Sequence, residues 1–224
     1  MTARFFRNTI FFLIFFNIFL APLAADDRLT EVLAQTNYTI DEKAAIRAVF
    51  SAGLQQGVPT PLLLPRLEEG IAKHIPPARL VDGLLQELAC LTRARTILLS
   101  VDADLNLSLH RAEWLRASIL VRLGLAENVI HNLALAAQDR WIDFRPASEL
   151  YLSLVGWGVP PDQAEQVTTA LLVSRIQGSE FDGVASLYSR GRQLFLSPHT
   201  VTARIVSALP AVATLNELSE RVLY

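Results

Sequence analysis

PARLVDGLLQELACLTRARTIL, residues 77–98, decides the fold. Leu80, Leu84, Leu88, Leu91, Ala94 and Leu98 recur every three or four residues, which lays one apolar stripe along a helix of 3.6 residues per turn. Pro77 opens the run where a helix needs no N–H partner, and only Gly83 lowers its helical propensity. Outward from it the same period returns. Thr39-Ile40-Asp41-Glu42 reads as a capping box, followed by Ile46, Val49, Phe50 and Leu54, with Gly57 and Pro59 as the stop. Thr60-Pro61 reads as a fresh N-cap with a first-turn proline, leading Leu63, Leu64, Leu67 and Ile71 to about His74.

Downstream, Leu115, Ile119 and Leu123 mark a helix closed by Gly124. Val129, Ile130, Leu133 and Ala137 mark the next. Leu150, Tyr151 and Leu154 follow Pro146, and Val167, Ala170 and Leu171 follow Pro161. Phe181, Val184, Ala185 and Tyr188 form a series ended by Gly191. Ser197-Pro198 caps Val201, Ile205 and Leu209, and residues 214–223 supply a last turn or two. No stretch alternates as a half-buried strand does. The expectation is an all-α chain, an antiparallel helical bundle or a short α-solenoid of about 9–11 helices, preceded by an N-terminal signal helix.

That signal is read from residues 1–25. Arg4 and Arg7 precede an apolar run from Ile10 to Leu20, and Leu23-Ala24-Ala25 meets Asp26-Asp27. From Ile10 to Ala25 is 16 residues, short of the ~20 that span hydrocarbon. Cleavage after Ala25 is therefore expected, with a periplasmic or secreted product; the alternative is an uncleaved N-terminal anchor in the inner membrane. The sole cysteine, Cys90, excludes an intrachain disulfide and, being far from the signal's end, a conventional lipoprotein anchor. Loss of Arg4 and Arg7 leaves 18 basic against 22 acidic residues, a formal charge of −4 that argues against nucleic acid as a partner. The remaining residues 26–224 suffice for one helical domain.

Residues 50–59 and 151–160 share an aromatic, an aliphatic position (Leu54, Val155) and then Gly-Val-Pro, at a constant separation of 101 residues. This suggests duplicated units, 40–100 and 145–209, although a sharp turn between helices demands the same glycine and proline. Gly57-Val58-Pro59 followed by Glu69-Gly70-Ile71-Ala72-Lys73-His74-Ile75-Pro76 resembles a motif of exported, all-helical bacterial proteins with no assigned activity. The resemblance covers residues 57–88; it implies a bacterial origin and no site residue.

The sharpest chemical pattern is Asp102, Asp104, Asn106, Ser108, His110 and Glu113, at places one, three, five, seven, nine and twelve of a twelve-residue window. That is the ligand spacing of a calcium-binding EF-hand loop, whose oxygens satisfy calcium's 6–8-fold coordination. Against it, Leu107 occupies the place that requires a left-handed glycine. The plainer reading is a polar turn with Ser108 capping the next helix and Glu113 on a solvated face. His74, His110, His131 and His199 fall at no metal-ligand spacing. Gly-x-Ser-x-Gly and phosphate-cradling glycine loops do not occur. Trp114, Trp141 and Trp157 read as core or interface anchors.

Three functions remain open on the sequence. One is an exported scaffold or interaction module that meets another envelope protein and touches membrane only through its uncleaved signal. Another is a calcium-stabilised module using the loop above. The third is an envelope enzyme whose site assembles only in the fold.

Overall fold

The structure, a computed structural model, describes residues 27–224; the signal segment and Ala25 lie outside them. The described residues are helical and contain no strand. In chain order the helices are α1 (27–34), α2 (Ile40–Gln55), α3 (Thr60–Ala72), α4 (Pro77–Val101), α5 (Arg111–Arg122) and α6 (Glu127–Ala136). They continue with α7 (Phe144–Gly156), α8 (Pro161–Leu172), α9 (Phe181–Gln193), α10 (Pro198–Ala208) and α11 (Leu215–Leu223). Among the described residues no helix is long and apolar enough to cross a membrane.

The chain divides into two compact units between Thr92 and Arg93, inside α4. All six stripe positions of α4 are buried, Leu80 to Leu91 in the first unit and Ala94 and Leu98 in the second. Burying each leucine there contributes about 1.5–3 kcal/mol, enough to outweigh the helix propensity lost at Gly83.

In the first unit the capping box forms as read: Thr39 Oγ1 accepts from the Glu42 amide at 3.3 Å, and the Thr39 amide donates to Glu42 Oε2 at 2.7 Å. Thr60, however, is not a cap. Pro59 holds that place with extended backbone (φ −72°, ψ 145°), and Thr60 is the first residue of α3, itself buried. Gly70, on α3, faces Leu80 so closely that an added Cβ would stand 2.3 Å from Leu80 Cδ1, which explains a glycine inside a helix.

In the second unit, from α5 to α9, each helix packs on the helix two further on, and α5–α6, α6–α7, α7–α8, α9–α10 and α10–α11 also pack as neighbours in sequence. α7 packs on α5, α8 and α9; α8 packs on α6 and α10; α9 packs on α11. Two readings of helix faces change here. On α5 the inward side is Trp114, Ala117, Ser118 and Leu120, while Leu115 and Leu123 are exposed, because the large indole of Trp114 takes the core. Gly191 does not end α9. It lies within the helix, where an added Cβ would stand 2.6 Å from Val201 Cγ2, so its small size sets the approach of α10.

Candidate functional site

One turn geometry joins the helices at five places, and it creates the surface of interest. Gly57 has φ +75°; its amide donates to the Leu54 carbonyl at 3.0 Å, and the Val58 amide donates to the Gly53 carbonyl at 2.8 Å. This is the Schellman arrangement, in which a left-handed residue lets two amides return to the last helical carbonyls. Gly158 (φ +84°) repeats it, with Gly158 donating to Val155 and Val159 to Leu154. The pattern recurs at Gly124, His74 and Phe195. The shared Gly-Val-Pro of 50–59 and 151–160 thus falls on this one turn geometry, which the chain also builds from other residues at Gly124, His74 and Phe195.

The same turn accounts for the ends of the motif between residues 57 and 76. Gly57-Val58-Pro59 and His74-Ile75-Pro76 each supply a left-handed residue, an aliphatic residue and a proline before the next helix.

At the closing residue of the preceding helix the units differ. In the first unit the positions before the left-handed residue are polar, Gln56 and Lys73. In the second they are apolar and open to solvent: Leu123 is 59% exposed, Trp157 51% and Leu194 50%. Phe195 follows at φ +59° and is 97% exposed. A left-handed backbone costs a non-glycine residue about 1–2 kcal/mol, and an unburied ring returns nothing to folding.

Beside this edge, the end of α7, the last turns of α9 and the start of α10 enclose a cavity of about 360 Å³. Trp157, Tyr188, Arg192, Leu196, Pro198 and Val201 form most of its wall. Tyr188 is fixed at the back, its hydroxyl 2.7 Å from Thr202 Oγ1, and burial pushes its phenol pKa up against that hydrogen bond. Arg192 is the charged residue of the wall. Its guanidinium reaches the Trp157 carbonyl at 3.4 Å and meets no carboxylate among the described residues.

The residues of the EF-hand-like window are placed differently from a chelating ring. Asp102 Oδ1 accepts from the Asp104 amide at 3.0 Å and Asn106 Oδ1 from the Ser108 amide at 3.1 Å, two successive Asx turns. Leu107 is buried at 8% exposure, and it is not among the residues of positive φ, so the left-handed sixth place is missing. His110, not Ser108, caps α5, without a side-chain bond. Its ring lies 5.5 Å from Trp141, and its Nδ1 is 3.7 Å from Glu113. Among the described residues no three His, Cys, Asp or Glu side chains gather as a metal group.

Two polar clusters are structural joints that periodicity does not signal. Arg140 donates to the carbonyls of Ser174 (2.7 Å) and Ile176 (2.8 Å) and pairs with Asp143, which lies directly over Gly178. Arg116 reaches from α5 to Ser148 Oγ on α7 at 2.6 Å; burial lowers its pKa, and its Nη2 is buried without a hydrogen-bond partner. Compared with known proteins, the chain matches no family model, no curated protein and no solved structure.

Proposed function

We propose that the protein is an exported helical interaction module of the bacterial envelope, and that it meets a partner protein along the turn edge of residues 93–224. The observation that carries this reading is the recurrence of exposed apolar residues at one structural position, Leu123, Trp157 and Leu194, joined by the strained and solvent-exposed Phe195. Scattered exposed leucines need no explanation; repetition at equivalent helix ends does. The next-but-one packing of α5 to α11 supports a short α-solenoid, with α5, α7, α9 and α11 in one layer and α6, α8 and α10 in the other. In that arrangement the ends of α5, α7 and α9 fall along a single edge. The signal segment, cut after Ala25, delivers the module to the periplasm or beyond.

The test is chemical cross-linking of the full chain in its producing cell, comparing wild type with the double variant Leu123→Ser/Phe195→Ser. Both side chains are exposed, so folding is retained. The reading expects a discrete cross-linked complex whose yield falls at least fivefold in the variant; equal yields, or a chain that is monomeric throughout, would overturn it. Intact-mass measurement of the exported protein is expected to find Asp26 as the first residue, and Met1 to Ala25 still attached would refute cleavage.

A further inference from the structure

We propose that the cavity between α7, α9 and α10 binds an apolar carboxylate, a ligand with an aromatic or branched aliphatic group beside an ionised carboxyl. The inference rests on reading residues 93–224 as an interaction module and goes further by naming the chemistry that the site selects. A volume of about 360 Å³ falls within the range of small-ligand pockets, at its lower end. It suits one ring or a short acyl chain.

Three features specify the ligand. The wall is apolar where Leu196, Pro198 and Val201 meet, so the buried part of the ligand is a hydrocarbon. Trp157 offers half of its surface at the mouth, an indole face on which a ring or chain can lie. Arg192 stands at the same mouth with no carboxylate of its own, and a guanidinium matches a carboxylate through two parallel N–H donors. A cationic ligand would meet Arg192 without compensation. A neutral one would forgo the charge-assisted pair with the guanidinium.

The site is rigid where it needs to be. Tyr188 is held to Thr202 at the back, and Gly191 packs against Val201, so α9 and α10 cannot separate to admit a larger body without losing that contact. The mouth is the adaptable part, since Arg192 and Trp157 are exposed.

One chemistry has two sources here, a free acid or the C-terminal residue of a polypeptide, and the experiment separates them. The purified full chain is titrated with 3-phenylpropanoate, octanoate and their amides, and with acetyl-Gly-Gly-Phe as free acid and as amide. Tryptophan emission is the readout, and the Trp157→Phe protein supplies the baseline. The proposal expects saturable quenching or blue shift by acids, lost in Trp157→Phe, and about a 10-fold weaker response to each amide and in Arg192→Gln. Arg192→Lys is expected to recover part of it. Stronger binding of the peptide acid than of the free acids assigns a polypeptide C-terminus, and the reverse assigns a free acid; both support the site. No saturable change up to 10 mM, or equal binding of acids and amides, overturns it. If that happens while the cross-linked complex still depends on Leu123 and Phe195, the ligand chemistry fails and the interaction edge stands.

Discussion

Phe195→Gly is expected to make the protein more stable and less functional at once. Phe195 sits at φ +59° and is 97% exposed, so removing the ring takes almost no area out of contact with protein. Relief of the left-handed backbone returns about 1–2 kcal/mol, while the freer unfolded glycine gives back about 0.4–1 kcal/mol. The net gain is about 0–1.6 kcal/mol with its centre at about 0.8, or roughly 2 °C in Tm for a chain of this size. Phe195→Ala is the control, because alanine keeps the backbone penalty and loses no packing; it should lie within about 0.5 kcal/mol of wild type. All three tryptophans, Trp114, Trp141 and Trp157, fall within Arg93–Tyr224. Urea denaturation followed by their emission therefore reports that unit directly. A glycine variant less stable than wild type, or an alanine variant as stable as the glycine one, would refute the strain argument. A stabilised variant with unimpaired complex formation would deny the ring its role at the edge.

Gly178→Ala should cost about 2–4 kcal/mol, since the new Cβ would stand 2.1 Å from Asp143 Oδ1 and disturb the partly buried Arg140–Asp143 pair; a loss under 0.5 kcal/mol in the urea midpoint of Trp emission would contradict this. Tyr188 has its pKa raised by burial, so its stabilising contribution is complete below pH ~10 and is lost as pH rises through the higher folded value. The second unit is thus expected to weaken above pH ~10, and Tyr188→Phe to flatten that decline. An unchanged slope in the variant would remove Tyr188 as the cause. Because Asp102 and Asn106 are committed to Asx turns and Leu107 is buried, millimolar calcium is expected to leave Tm within about 0.5 °C; a clear rise, lost in Glu113→Gln, would instead establish the loop as a calcium site.

The helices were legible because burial repeats at the helical period, as the α4 stripe shows. Capping was legible where a side chain does the work: Thr39 and Ser197 accept the amides expected of them. Failures cluster where two causes share one residue type. Glycine signals a helix end at Gly57 and Gly158, yet Gly191 is small for packing, and the left-handed place after α9 went to Phe195 instead. On α5 the leucines at 115 and 123 have the right spacing, but Trp114 has more area to bury. The cavity was hidden for a different reason. Its wall comes from 157–159, 188–192 and 196–201, and no period within one helix brings those stretches together.

The most direct test of the interaction edge is a photo-cross-linking scan, with a photoreactive residue placed in turn at exposed positions of 93–224 in the full-length protein inside producing cells. Adducts with a partner polypeptide are expected to concentrate at positions 123, 157, 194 and 195 and to be sparse on the outer faces of α8 and α10. Adducts spread evenly, or concentrated on those outer faces, would contradict the account.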